Sequence, residues 1–297
     1  MKTFIYHHPD IARHDEEAAH VAMDVKRIAT IAQAVLEVAG TIAHHAPPAS
    51  RAQILRNHED AFIASLIKNT PKDYGQVHRI DNETILNRHT WRAMELSAGA
   101  ACAAVDAVLD AQAKNAFCPV YAGHHAQKAV AGGFCFINSI AIAAHHALAR
   151  GLERVAILDI DTHSGNGTIL SFAGDKRVFF AETYQAGYPG PVFPPAQTPS
   201  NILRVRVGAP WQFWEAWGQL LARVDRFKPQ LVLVSAGFDA HIADPLGEVR
   251  LLDRDYTRLA KEIVAVNPNV VACLEGGYDV AATARCASLF VQELVAA

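Results

Sequence analysis

The run "VAILDIDTHSGNGTIL" (155–170) begins as an apolar strand and ends with Asp159, Asp161 and His163 at alternate positions. In an extended chain, residues two apart project from the same face. Asp161 and His163, so placed, can share a metal ion. Asp239 closes another apolar run, "LVLVSAGFD", and can supply a third ligand. Two carboxylates and one imidazole leave a coordination position open, as a hydrolytic metal requires. Taken singly, an Asp at a strand end is as well explained by a cap or a loop bond to a backbone amide. Three such residues followed by a glycine-containing loop point to a site instead.

Histidine is abundant, with 15 residues, and forms pairs at 7–8, 44–45, 124–125 and 145–146. Context must therefore decide which pair matters. Pair 145–146 lies in "SIAIAAHHALAR", which predicts a continuous helix with the pair on its surface. Pairs 7–8 and 44–45 fall in expected loops. His124 and His125 open "GHHAQKAVAGGFCFIN" (123–138), and spacing alone does not assign them a role.

The elements that must hold these residues alternate along the chain. "RVAILDID", "RVFFAETY", "QLVLVSAGFDA" and "NVVACLEGGYD" are short β-branched and apolar runs without period-two alternation, which suits parallel strands covered on both faces. Helical stretches at 211–226 and 253–265 separate some of them, so βαβ logic predicts a mostly parallel, doubly wound sheet. Each run ends in polar residues: Asp159/Asp161/His163, Glu182/Tyr184, Asp239, and Glu275/Tyr278. Ligands bind at the carboxyl ends of such strands, so the four ends predict one rim. Upstream, helices are expected over 18–40 (closed by Gly40), 89–114 (Ala-rich, buried) and 138–151 (closed by Gly151). A short strand is expected in "FCPVYAG" (117–123), and loops at 44–50 and 69–76.

Composition bounds the function classes. The chain has 297 residues, 51% of them hydrophobic and 19% charged, which is globular and suits one domain over 1–297. A net charge of -3 without a basic stripe argues against nucleic acid. No apolar stretch is long enough to span a membrane, and "MKTFIYHHPD" lacks a signal-peptide h-region. Five scattered cysteines without CxxC spacing read as free thiols in a reducing cytoplasm.

"GHHA…GGFCFIN", "DIDTHSGNGT", "SAGFDAHIADPLG" and "LEGGYD", in this order, closely resemble the zinc-dependent histone deacetylase family with its bacterial acetylpolyamine and acetoin-utilisation relatives. The resemblance spans essentially the whole chain. It implies a single-domain α/β arginase–deacetylase fold with a mostly parallel sheet of about eight strands and helices on both faces. It implies that Asp161, His163 and Asp239 bind the metal and that His124 and His125 are the catalytic pair. By the same motifs, Asp159 orients His124, Asn166 partners His125, and Tyr278 polarises the carbonyl. Phe134 and Tyr188 would be aromatic walls of an acyl-lysine tunnel, with Gly133 and Leu246 beside the substrate. The implied metal is Zn2+, one per chain, although the donor set also suits Fe2+ or Co2+; a structural K+ is implied near Asp159, Asp161 and His163. The implied partner is an acylated lysine or a small acylated amine, and the oligomeric state is left open, a homo-oligomer included.

The implied chemistry is amide hydrolysis. An anionic partner favours an imidazolium and an amide does so less. His124 is therefore expected to be the readily charged histidine, and His125 the neutral base.

The chain also departs from the family pattern. Val120-Tyr121-Ala122 replaces Arg-Pro-Pro before Gly-His-His, and Glu182 and Tyr184 stand where Ser and His are common. Glu182 falls near the implied potassium site, which it would strengthen, shift in occupancy, or replace through an internal pair. "HDEEAAHVAMDVKR" keeps only a trace of the family's His-Pro-x-Arg. Asp81 or Glu83 is the candidate rim acid. Leu246, at a position where an acid would meet the distant ammonium groups of a polyamine, predicts a preference for acyl-lysine over acetylspermidine-type substrates, unless Glu83 or Asp81 reaches the mouth. A binuclear manganese ureohydrolase would need an acid where the chain has His241. A non-catalytic acyl-group sensor would be expected to lack the tyrosine or a ligand, and the chain keeps them all.

Overall fold

Alternate residues of the central strands enter two different apolar cores. In "VAILD", Val155 and Ile157 join one core while Ala156 and Leu158 join the other; Leu231/Leu233 and Val232/Val234 divide in the same way. Both faces are buried, so apolar residues occupy consecutive positions and no alternation shows in the sequence.

A computed structural model describes residues 2–17, 24–187, 192–194 and 197–297. β1 (Thr3–His7), α1 (Pro9–Glu17), α2 (Arg27–Leu36) and β2 (Thr41–His45) come first. Next are α3 (Arg51–Ile54), α4 (Asp60–Asn69) and an antiparallel hairpin of β3 (His78–Arg79) and β4 (Ile85–Leu86). The middle of the chain forms α5 (Thr90–Leu109), β5 (Asn115–Cys118), α6 (Ser139–Ala149), β6 (Val155–Asp159) and α7 (Asn166–Phe172). β7 (Val178–Tyr184), β8 (Ile202–Arg206), α8 (Pro210–Phe227), β9 (Leu231–Ala236), α9 (Asp253–Val266), β10 (Val270–Leu274) and α10 (Val280–Ala296) complete it. The protein is a single α/β domain. Its eight-stranded sheet runs β2-β1-β5-β10-β9-β6-β7-β8 and every pairing in it is parallel. One core holds α5 and α6 against the sheet; the other holds α8, α9 and α10.

Several expectations change. The helix expected over 18–40 is present as α2 only from Arg27 to Leu36, and residues 18–23 lie outside the described residues. Gly40, at φ +92°, belongs to the turn into β2 rather than to the helix cap. The strand expected at 117–123 stops at Cys118, because Pro119 has no N–H to continue a ladder. His7, His44 and His45 lie in strands, not loops. Polar residues hid the edge strand β2 and its neighbour β1, as two arginines hid β8 at the other edge. His145 and His146 are helical as expected, but His146 is buried: its ring meets Asp106 at 2.8 Å and Arg56 at 2.5 Å.

The interior helix α5 depends on one close approach. A Cβ on Gly99 would lie 1.8 Å from the Pro47 carbonyl oxygen, whereas one on Gly218, exposed on α8, would meet nothing within 4 Å. Gly99→Ala is therefore expected to destabilise by about 1–3 kcal/mol or more. Gly218→Ala should stabilise by about 0.5–1 kcal/mol through helix propensity. Denaturant unfolding measures both, and equal effects would contradict the packing of the 46–50 segment on α5.

Candidate active site

The strand ends of β6, β9 and β10 bring their carboxylates to one rim, and bare backbone lets them approach. A Cβ on Gly276 would lie 2.5 Å from both Asp161 Oδ2 and Asp239 Oδ2, and one on Gly237 would lie 2.4 Å from the Asp161 Cα. Backbone amides hold the acids in place. Gly276 N donates to Asp161 Oδ2 (2.8 Å), Thr162 N to Asp239 Oδ1 (2.8 Å), and His163 N to Asp161 Oδ1 (2.9 Å). His163 Nδ1 then lies 3.2 Å from Asp161 Oδ1 and 2.9 Å from Asp239 Oδ2. Burial works to lower the His163 pKa, but the two carboxylates outweigh it and raise it to about 10. The cluster is thus built to hold positive charge.

One ligand atom from each of Asp161, His163 and Asp239 falls within 4.8 Å of the others, so an N/O₂ donor set converges on one point. A second grouping, His241, Asp253 and Cys286, meets the same distance limit. There, however, His241 Nδ1 accepts from Ala243 N (3.1 Å), which puts the proton on Nε2 and aims it at Asp253 (2.8 Å). That nitrogen is a donor, with no lone pair for a metal. His241 groups with Asp253 and Cys286 and not with Asp161, His163 and Asp239, so among the described residues it does not extend the first cluster toward a binuclear site.

His124 and His125 follow Gly123 in a loop tied to the end of β10: Gly123 N and His124 N both donate to Glu275 Oε2, at 2.6 and 3.1 Å. His124 Nδ1 lies 3.0 Å from Asp159 Oδ2, and His125 Nδ1 lies 2.7 Å from Asn166 Oδ1. The imidazole centroids are 4.0 Å apart. Their environments push them in opposite directions. For His124, burial lowers the pKa, but the charges of Asp161 and Asp159 carry it well above the ordinary value. For His125, burial and then the charge of His124 carry it well below.

A 270 Å³ cavity opens onto this cluster, lined by Glu83, His125, Gly133, Phe134, His163, Leu246 and Tyr278. Gly133 and Phe134 both take left-handed backbone, at φ +57° and +66°. For Phe134 this is unusual; Thr84 Oγ1 accepts from its N–H (3.2 Å) and helps hold it. Tyr278 faces Phe134 with ring centroids 5.8 Å apart, and Asp244 Oδ2 accepts from its backbone N (2.7 Å). Burial pushes the Tyr278 phenol well above its ordinary pKa, so it stays a proton donor. Asp81 accepts from the N–H groups of Glu83 and Thr84 and shapes the turn that presents Glu83.

Of the residues singled out in the sequence, the structure brings together Asp159, Asp161, His163, Asn166, Asp239, His124, His125, Tyr278, Gly133, Phe134 and Leu246. Tyr188 lies outside the described residues. Between the alternatives Asp81 and Glu83, it is Glu83 that lines the cavity. Sequence reasoning missed Arg27, which is 1% exposed, donates from Nε to the Gly277 oxygen (2.6 Å) and reaches the Glu275 oxygen. It braces the backbone that carries Tyr278. Lys-Arg at the start of an amphipathic helix gave no sign of this. Glu275 was visible only as a polar strand end.

Comparison with known proteins agrees with this geometry. The profile of the histone deacetylase domain matches residues 20–294. A probable deacetylase of Archaeoglobus fulgidus is 30% identical over 94% of this chain and 82% of its own length. A histone deacetylase-like amidohydrolase of Pseudomonas aeruginosa is 31% identical over 88% of this chain and 74% of its own. The crystal structure of an acetylpolyamine aminohydrolase from Burkholderia pseudomallei superposes with a TM-score of 0.87 at 26% identity, covering 99% of this chain and 98% of that one. With the matched profile spanning nearly the whole chain and the strand-end cluster, histidine pair and tyrosine meeting at one cavity, the protein belongs to the histone deacetylase family.

Proposed function

We propose that the protein is a zinc-dependent amidohydrolase that removes an acyl group, acetyl in the first instance, from an acylated lysine or a small acylated amine. The observation that carries this reading is the single cavity lined at once by His125, His163, Phe134 and Tyr278. Asp161, His163 and Asp239 would hold the ion, and zinc suits a mixed imidazole–carboxylate set, as Fe2+ or Co2+ would. When bound, the ion supplies Lewis-acid polarisation of the amide carbonyl and acidifies water.

The chain's own residues do the rest. His125 directs Nδ1–H at Asn166, which makes Nε2 the nitrogen that takes a proton from the attacking water. His125 then returns that proton to the leaving amine. His124, charged against Asp159, offers a fixed cation 4.0 Å from the His125 ring. Tyr278 donates its hydroxyl hydrogen to the carbonyl oxygen as charge builds there. Phe134 and the cavity walls exclude bulk water from the acyl group. A structural potassium ion near Asp159, Asp161 and His163 would have to use backbone carbonyls. The oxygens of Asp159 already take up His124 Nδ1 and Asp161 N, and those of Glu182 take up Ser164, Gly165 and Arg204. No helix among the described residues is long and apolar enough to cross a membrane.

A second reading, an acylated polyamine as substrate, has a specific observation in its favour. Leu246 makes one side of the mouth apolar, but Glu83 lines the cavity and supplies an acid there. Glu83 therefore counts against the preference for acyl-lysine that Leu246 suggests. Even a partly solvated carboxylate offers a distant ammonium on the order of 1 kcal/mol. The ratio of kcat/KM for an acetyl-lysine peptide and for acetylspermidine decides. The first reading expects the peptide to win, and a tenfold preference for the polyamine replaces it with the second. In that case Glu83→Gln should remove about fivefold or more from the polyamine alone.

Two substitutions separate binding of the metal from chemistry. Asp239→Ala is expected to abolish both bound metal and turnover while circular dichroism keeps the native shape. Tyr278→Phe should retain the metal and lose about 10²–10³-fold in kcat. Near-normal turnover of a folded, metal-replete Asp239→Ala protein would sink the ligand assignment. A loss below about threefold in Tyr278→Phe would remove the tyrosine from the mechanism.

A further inference from the structure

Three neighbouring strands place Asp159, Glu182 and Arg204 in one row. Asp159 on β6 pairs in register with Glu182 on β7, and Glu182 with Arg204 on β8. Side chains in register on parallel neighbours share a face, and this is the face that carries the His163–Asn166 turn. Glu182 is fully buried, and the Arg204 side chain is 7% exposed. Glu182 Oε1 accepts from Arg204 Nε (2.6 Å) and from Ser164 Oγ (2.7 Å), while Oε2 accepts from Gly165 N (2.8 Å). A second nitrogen of Arg204 also donates to Ser164 Oγ, and the guanidinium lies 4.6 Å above the Tyr184 ring. The turn has no slack on its other side, since a Cβ on Gly165 would lie 2.3 Å from Asp159 Oδ2.

We propose that Arg204 is a positioning residue: with Glu182 it forms a buried, charge-balanced clamp on the Ser164–Gly165 peptide, which sets His163 against Asp239 and Asn166 against His125. The clamped peptide sits between these two functional residues. His163 precedes it and completes the Asp161/Asp239 cluster. Asn166 follows it, opens α7, and holds His125. A simple ion pair tying the edge strand to β7 would need only the Glu182–Arg204 contact. Here both charged groups converge on Ser164, and the carboxylate reaches the Gly165 amide as well. Misplacement of a catalytic group by about 1 Å is enough to cost on the order of 10²-fold in rate. Losing an outer partner of a metal ligand typically costs about 10–100-fold in metal affinity.

The clamp rests on the amidohydrolase reading for its effect on rate but not for its effect on metal binding, so both are measured. Zinc affinity is read by competition with a chromophoric chelator, and kcat and KM with an acetylated substrate, for wild type, Arg204→Met, Arg204→Lys and the double variant Glu182→Leu/Arg204→Met. In Arg204→Met, zinc affinity and kcat should each fall about tenfold or more while KM stays within about threefold. Arg204→Lys should recover part of both, because it keeps the charge but loses the fork. The double variant removes the unpaired buried charge and so restores stability, yet leaves the turn unclamped, with zinc affinity and kcat still low. If Arg204→Met fails to fold, the double variant carries the test. A folded double variant with wild-type zinc affinity and wild-type kcat would overturn the clamp. If the wild type hydrolyses no acylated amine, the functional reading fails, and the zinc affinities alone decide the clamp.

Discussion

Too many carboxylates are buried at one place. Asp159, Asp161, Glu182, Asp239 and Glu275 are each between 0 and 2% exposed, all at the carboxyl ends of adjacent strands. Uncompensated, such groups would take up protons rather than stay ionised. Much of the local structure reads as their compensation. Backbone amides of Gly276, Thr162, His163, Asp161, Gly165, Gly123 and His124 all point at them. Glycines let those amides approach. Arg204 balances Glu182, and His124 lies against Asp159. In the proposed metal-bound state a divalent cation would offset Asp161 and Asp239, with His163 neutral as its third ligand.

The same field makes the histidine pair asymmetric. His124 lies against a carboxylate, His125 against an amide, and the rings are close enough for one charge to discourage a second. Two chemically identical side chains thereby acquire different protonation states, which is what a base beside a fixed cation needs. Tyr278 is held by a different means. Its backbone is braced by Arg27 and Asp244, and its hydroxyl is kept protonated by burial. In the proposed reaction the pocket would present one acceptor of protons, His125, one donor, Tyr278, and one charged ring, His124.

Much of this was legible because the chemistry sits where parallel sheets put it. Apolar runs ending in acids disclosed β6, β7, β9 and β10 and their common rim, since a strand buried on both faces must be apolar until it emerges. The edge strands were not legible. β2 and β8 carry histidine, threonine and arginine, because one side of each lacks a neighbouring strand and tolerates polar residues; β1, although paired on both sides, is a five-residue run that begins with threonine and ends in histidine. Arg27 and Arg204 were illegible for another reason: a buried arginine looks like a surface arginine until its partners, about 250 and 22 residues away in sequence, are known. Glu182 stood out as a departure, and the structure supplies the internal partner that sequence could only offer as one of several outcomes. Glu83 and Asp81 differ by two positions in a polar loop, and only the fold of the turn tells which one faces the cavity.

The proposed chemistry depends above all on the division of charge between His124 and His125. Nitrogen chemical shifts of selectively ¹⁵N-labelled imidazoles in the metal-loaded protein, assigned with His124→Ala and His125→Ala variants, report it directly. The prediction is an imidazolium at His124 with its Nδ1 proton strongly hydrogen-bonded, and a neutral ring at His125 protonated at Nδ1, both persisting through neutral pH. A neutral His124 beside a charged His125, or two rings titrating together near the ordinary histidine pKa, would contradict it.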